Sequence, residues 1–509
     1  MNLLRALLLK LGIRKGWRFE MLEHHCRYDR NKVSPEMSSS PKRILFFAYL
    51  PYWLKICLPA SAVLGAMGHT IELIFLPYDH YKKKDNWIDL WAQKCAYEKL
   101  ESLKILNTSA RCLETKPGVL SAEEEKEVVI QSKKDAIYVK RMDVYDDADE
   151  RLKKLYEFRY QRNAVAMAQI MKILKERRHD CLLTANGDIL EFGIAYRAAK
   201  LAGVPCTTFE YLFGRRCVLV SHADPVVRLN TDEAWREHNK KPAPPDVLEK
   251  AMALMAERAK PRDAKKYWLS QHSMPQSPEE LRKKLQLAPD RKTALMCSNV
   301  IWDSAALGRE VVFKGSGEWI HETVRWFSKN NDWQLIIRVH PDETIWGGDK
   351  PVSQLVRAAL DGRTKNIILI DAADPTNTYS LMQLADAGIV YSTSAGMEMA
   401  VQGIPVVCAA RAHYCGKGFT LDPKDPENYF RIFETRDWRT LKKNAEAARM
   451  TASHYYEFYF NTMPYHIPWD IIRLDEDLDE WPLSSVLSAE GRRLFRRTWD
   501  ELTLVGHRS

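Results

Sequence analysis

Three observations predict an α/β protein of two doubly wound, Rossmann-like domains with helical N- and C-terminal extensions. Short β-branched apolar runs alternate with helical stretches, the pattern of strands buried on both faces of a parallel sheet. The runs fall into two blocks separated by a Pro-rich break. At 509 residues the chain is also too long for one ordinary core.

Taken in order, residues 1–41 combine an amphipathic helix with a polar linker. The leucines are interrupted by Arg5 and Lys10, no A-x-A-like cleavage site follows, and the run is too short to span a bilayer. With Arg14, Lys15, Trp17 and Arg18 it fits a helix resting on an anionic membrane surface or one packed on the protein itself. The expected setting is cytoplasmic, with peripheral contact at the inner face of the plasma membrane.

The first domain, 42–245, opens with a buried strand at Lys42–Ala48, a helix over Leu58–Met67 ended by Gly68, and a strand over Thr70–Leu76. Residues 81–178 read as a largely helical, charged insertion. Its acidic patch, Asp146-Asp147-Ala148-Asp149, follows no apolar strand and reads as a helix start rather than an Asp-x-Asp metal motif. The strand pattern resumes at Cys181–Thr184, passes through Asn186-Gly187-Asp188 and a helix to Lys200, and reaches Thr207–Glu210. Asp188 and Glu210 both fall at strand ends, where a catalytic carboxylate of this domain is expected. A salt bridge from Glu210 to Arg215 or Arg216 is the competing reading.

Pro242, Pro244 and Pro245 lead into a linker, 246–290. The second domain, 291–437, starts with the strand Lys292–Cys297. Helices over 438–509 are expected to pack back across the domains, with the aromatic run Tyr455–Phe460 at the junction.

Composition narrows the function. Hydrophobic residues at 46% and charged residues at 28% describe a globular protein. The formal charge of +9 is dispersed over separate short clusters, and no basic-aromatic motif of a nucleic-acid-binding module is present. Ten cysteines without a CxxC pair argue against a zinc site or a disulfide framework, so a reducing compartment fits.

The chemistry concentrates in 333–420. This segment reads WQLIIRVHPDE, then NIILIDAADPTNTYSLMQLADAGIVYSTSAGMEMAVQGIPVV, and closes on HYCGKGFT. His340-Pro341 and the loop Ser392–Gly396 each lie just past an apolar run, at the carboxyl end of a strand, where ligands of parallel sheets collect. The first turn of the helix after that loop offers backbone N–H groups to an anion, and Ser392, Thr393 and Ser394 add hydroxyls. Gly396 permits close approach to the backbone. Arg338 and Glu343 flank the His-Pro pair, and Glu398 lies one turn into the helix. The natural guest is a phosphate or diphosphate. Taken singly, Ser394 reads equally as a helix cap and His340 as a partner of a backbone group.

RVHPDE, YSTSAGMEMAVQGIPVV and HYCGKGFT resemble the bacterial capsule polysaccharide biosynthesis family, whose members include retaining transferases that use CMP-activated 3-deoxy-manno-octulosonic acid (Kdo). The likeness is strongest over Leu295–Thr420. His-Pro followed by a Ser/Thr-rich loop is also found in sialyltransferases that use CMP-sialic acid. The resemblance implies a GT-B-like glycosyltransferase taking a nucleotide-sugar donor and a glycan or glycolipid acceptor, with no separate cofactor and no metal. It assigns His340 to the donor phosphate or cytidine, and Ser392, Thr393 and Ser394 to the phosphate. Glu343 and Glu398 would bind donor hydroxyls, with helix-dipole stabilisation the other reading of Glu398, and Arg338 is either structural or steers the anionic donor. Relatives carry a Glu-Asp-Gly-type motif after a first-domain strand, whereas this chain has Phe209-Glu210-Tyr211, keeping the Glu without the Asp. Other readings of the same architecture are a nucleotide-sugar 2-epimerase, a polyol-phosphate transferase and a non-catalytic scaffold of polysaccharide assembly.

Overall fold

The computed structural model describes residues 40–504 apart from 79, 88–89, 92, 96, 98–106, 213–214, 261–273, 361, 363–364 and 436. The N-terminal segment read as an amphipathic helix lies outside them. Among the described residues no helix is long and apolar enough to cross a membrane. The chain divides into two compact units. One takes the described residues up to Val139, then Asp147–Leu229 and those from Pro464 onward; the other takes Lys140–Asp146 and Asn230–Met463.

The first unit is built on a seven-stranded sheet of β1 (Arg43–Ala48), β2 (Thr70–Phe75), β3 (Thr108–Cys112), β4 (Cys181–Ala185), β5 (Cys206–Tyr211), β6 (Cys217–Ser221) and β12 (Tyr465–His466). Their spatial order is β12-β6-β5-β4-β1-β2-β3. The first five strands are parallel and run 3-2-1-4-5, the doubly wound order, while β6 and β12 add antiparallel at one edge. β1 is central because Ile44, Leu45, Phe46 and Phe47 are apolar on both faces and fully buried. At the far edge β3 has the sequence TSARC and alternates between half-buried and exposed residues.

That strand lies within 81–178, the insertion expected to be largely helical, and the sequence reading does not anticipate it. The helices Ala122–Lys140 and Glu150–Glu176 account for much of the rest. The acidic patch does start a helix: the Asp149 carboxylate caps it, accepting from the N–H groups of Arg151 and Leu152 at 2.9 and 3.0 Å. The core is aromatic near the carboxyl ends of the strands, where Trp53 meets Phe192 and Phe209 edge-on, each at 5.9 Å between ring centres.

The second unit has a five-stranded, wholly parallel sheet. Its strands are β7 (Lys292–Cys297), β8 (Trp333–Arg338), β9 (Ile367–Ile370), β10 (Ala387–Val390) and β11 (Val406–Cys408), ordered β11-β10-β7-β8-β9. This repeats the 3-2-1-4-5 order, so the switch point falls between β7 and β10. The predicted fold class, α/β with two parallel-dominated sheets, is the observed one.

Two segments sit differently from the sequence reading. The stretch expected as linker, 246–290, contains the helix Val247–Ala259, whose Ala251 and Met255 are buried in the second unit's core. It also contains the helix Pro278–Lys284, held by a Ser277/Glu280 capping box. The aromatic run is likewise core of the second unit: Tyr455, Tyr456, Phe458 and Phe460 join one buried cluster with Leu295, Met397 and Val401. The helix Trp438–Glu457 therefore belongs to the second unit, and the helices after Pro464 to the first.

Candidate functional site

At the switch point of the second sheet, the chain leaves β7 through Ser298 and β10 through Tyr391-Ser392-Thr393-Ser394. Between these exits lies a cavity of about 230 Å³. Its walls come from β7, the end of β8, the loop after β10 and the helix Val247–Ala259.

His340 and Pro341 line the cavity from the end of β8. The His340 N–H donates to Ser298 Oγ at 3.0 Å, which ties this loop to the end of β7. The ring Nδ1 accepts from the N–H of Asp342 at 3.2 Å, so the neutral imidazole carries its proton on Nε2. Desolvation lowers the ring's pKa below the ordinary histidine value, outweighing the opposite pull of the Asp342 carboxylate. His340 is therefore a neutral hydrogen-bond donor at pH 7.

Arg338 also reaches the cavity and is 5% exposed. Its Nη1 donates to the carbonyl of Asp371 at 2.6 Å and its Nε to Thr378 Oγ1 at 3.3 Å. Burial lowers the guanidinium's pKa, but from a value so high that the charge remains.

From β10, Thr393 and Ser394 line the opposite wall. Ser394 occupies the N-cap position of the helix Ala395–Val401, yet its side chain makes no capping hydrogen bond. The capping alternative for this hydroxyl does not hold. Glu398, on the same helix, is 4% exposed and lines the cavity. Three donors converge on its Oε1: Arg258 Nε at 3.2 Å, the Tyr379 hydroxyl at 3.1 Å and the Tyr456 hydroxyl at 3.3 Å.

Three expected site residues are not on the cavity wall. Ser392 is held between Asn299 and Ala305, with its hydroxyl donating to the Ala305 carbonyl at 3.2 Å and its N–H to Asn299 Oδ1 at 3.2 Å. Glu343 is buried and its Oε1 accepts from the N–H of Val352 at 3.0 Å, at the start of the helix Val352–Leu360. Gly396 does permit a close approach, but by Tyr414 rather than by a ligand: a Cβ at this position would lie 2.4 Å from the Tyr414 hydroxyl. That hydroxyl donates to the Thr393 carbonyl at 2.6 Å and so fixes the loop beside the cavity. Gly396→Ala is expected to lower stability by about 1–3 kcal/mol through overpacking. Tyr414→Phe in the same chain should recover part of that loss, and a thermal-unfolding double-mutant cycle measures the coupling.

Sequence reasoning missed Arg258, Ser298, Asp342, Thr378 and Tyr379, all on the cavity wall. Ser298 and Asp342 carried a readable signal, each standing directly beyond a buried strand or beside the His-Pro pair. Arg258 and Tyr379 carried none, since only the fold brings them to Glu398.

In the first unit, Asn186 and Gly187 follow β4 in left-handed conformations, with φ of 55° and 80°, and Leu190 adds a third at 55°. A left-handed leucine is strained. The Asn186 side chain organises this turn: its Oδ1 accepts from the N–H groups of Asp188 and Ile189, and its Nδ2 donates to Glu210 Oε2 at 2.9 Å. Gly187 is required here, because a Cβ would meet Thr208 Cγ2 at 2.5 Å. Asp188 is 4% exposed and its Oδ1 is engaged by Lys134 and by Arg228 Nε, the latter at 2.8 Å. Arg216 pairs with Asp477 at 2.7 Å and with Glu480.

Among the described residues, one cluster has metal-ligand side chains close together: Cys408, Cys415 and Asp422. Cys415 Sγ accepts from the N–H of Ala412, and Asp422 Oδ2 accepts from the N–H of Gly416 and the Thr420 hydroxyl. Burial pushes the Cys408 thiol well above its usual pKa, away from the thiolate a metal needs.

Residues 255–459 match the family model described as capsule polysaccharide biosynthesis protein. No curated protein sequence matches the chain. Among solved structures, the Thermosulfurimonas dismutans KpsC beta Kdo 2,7 transferase is similar at 16% identity, covering 54% of this chain and 79% of that one with a TM-score of 0.31. The beta Kdo 2,4 transferase of the same organism's KpsC is similar at 16% identity, over 57% and 82%, with a TM-score of 0.32. UDP-GlcNAc 2-epimerase from Neisseria meningitidis is similar at 12% identity, over 81% and 97%, with a TM-score of 0.27. Every residue of the cavity wall lies within the segment that matches this family model.

Proposed function

We propose that the protein is a glycosyltransferase of capsule or surface polysaccharide synthesis. It takes a nucleotide-activated sugar, with a cytidine nucleotide as the leading candidate, and transfers the sugar to a glycan or glycolipid acceptor at the cytoplasmic face of the membrane. One observation supports this most: a cavity at the switch point of a parallel sheet unites a neutral imidazole with its proton on Nε2, a buried arginine and a serine hydroxyl not spent on capping its helix.

In the proposed reaction an acceptor hydroxyl oxygen bonds to the anomeric carbon while the bond from that carbon to the phosphate oxygen breaks, and the nucleotide leaves with the electron pair. The growing charge on the phosphate is met by the Nε2–H of His340, the hydroxyls of Thr393 and Ser394 and the positive charge of Arg338. His340 and Arg338 are held by protein contacts before the ligand arrives, so little reorganisation of these two is needed, and no metal is invoked. Glu398 offers its Oε2 to a ribose or sugar hydroxyl. Glu210 takes the acceptor's proton.

Calorimetric titration with CMP, CDP, UDP and GDP tests the donor half of this reading. His340→Ala and Ser394→Ala are each expected to weaken the preferred nucleotide by about tenfold or more while the melting temperature holds. If the wild-type protein binds none of the four, the reading fails.

A further inference from the structure

The guanidinium of Arg258 stands out on the cavity wall because only part of it is used. Its Nε donates to Glu398 Oε1, and the Phe460 ring lies 4.4 Å from its Cζ and covers one face. The guanidinium also hydrogen-bonds the Tyr379 hydroxyl, so two of its five N–H groups are accounted for among the described residues. About a quarter of the side chain, 27%, is exposed, and it borders the cavity. The Glu398 carboxylate mirrors this: Oε1 takes three donors and Oε2 takes none among the described residues.

An arginine has five N–H donors in a fixed plane, and the edge carrying the two Nη groups matches a pair of oxygens on one phosphate or carboxylate. Here that plane is set by an aromatic ring and by a carboxylate that is itself fixed by two tyrosines. A ligand oxygen pair would meet an arginine already oriented. Arg338, by contrast, spends its Nη1 and Nε on the Asp371 carbonyl and the Thr378 hydroxyl.

Resting on the nucleotide-donor reading, we propose that Arg258 forms a separate anion subsite, taking a two-oxygen anionic group of the ligand through its Nη edge. The group is either the nucleotide phosphate or a carboxylate on the transferred sugar. Arg258 thus determines specificity for an acidic ligand, and its bond to Glu398 sets its direction.

Titrating the wild type, Arg258→Gln and Arg258→Lys with cytidine, CMP and CMP-N-acetylneuraminate tests this. A phosphate source predicts that Arg258→Gln loses about tenfold or more in affinity for CMP with cytidine unchanged. A carboxylate source predicts unchanged CMP and the same loss for CMP-N-acetylneuraminate alone. In either case Arg258→Lys, which keeps the charge without the fork, falls between the two and guards against misfolding of the Gln variant. A role confined to holding Glu398 would weaken cytidine and CMP alike, and that result overturns the proposal, as does equal binding of all three ligands by Arg258→Gln and the wild type. If the wild type binds no ligand, the donor reading fails and this subsite with it.

Discussion

Arg159→Leu will destabilise the first unit by about 3–5 kcal/mol, because it strands buried carboxylates without their cation. Arg159 is fully buried, as are its partners Asp135 and Glu191, with Nη2 at 3.4 and 2.6 Å from them. Asn163 and Gln131 bond to the same Asp135, and Asp135 Oδ1 also accepts from the N–H of Leu190 at 2.6 Å. The strained turn at 186–190 is therefore anchored on this charge cluster. Burial already raises the Asp135 pKa, and the Arg159 charge is the largest influence opposing it. Without Arg159 the folded-state carboxyl pKa rises further above its unfolded value. The folded state then holds more protons than the unfolded chain above about pH 4, so the variant's stability falls as pH rises. Denaturant unfolding should thus find a larger loss at pH 8 than at pH 5. A loss under about 1 kcal/mol at both would mean the cluster contributes little.

Glu210→Gln is the second large effect. Turnover is expected to drop about 10²–10⁴-fold, the usual range for removing a general base, with nucleotide affinity within about twofold of wild type. The isosteric amide keeps the shape of the residue and its fit beside Asn186 while removing the proton acceptor. Asp188 is the weaker candidate because two cations hold its Oδ1. Product formation by mass spectrometry, with nucleotide binding measured on the same sample, decides between them. Turnover retained by Glu210→Gln would move the base to Asp188.

Much of the architecture was legible because buried parallel strands announce themselves as unbroken apolar runs. RILFFA, TIELIF, KTALMC and WQLIIR each place nearly all their residues inside. TSARC did not, since an edge strand half in water has no such signature. The site was legible to the same depth. His340, Pro341, Thr393 and Ser394 stand directly at strand ends, where topology alone delivers them to the cavity. Gly396, Ser392 and Glu343 carry the same local pattern, but Tyr414, Ala305 and Val352 claim them from elsewhere in the fold. Arg258 lay in a stretch that composition marked as linker. Whether a helix is linker or wall depends on what packs against Ala251 and Met255, which no local pattern records.

The discontinuity of the first unit has a consequence for synthesis. Its edge strand β12 and the helices after Pro464 emerge from the ribosome only after the whole of 230–463 has been made. The second unit can close its parallel sheet while the first still presents an unpaired β6 edge. Nascent chains halted near residue 463 should therefore recruit holding chaperones through that edge, and chains extended beyond β12 should release them.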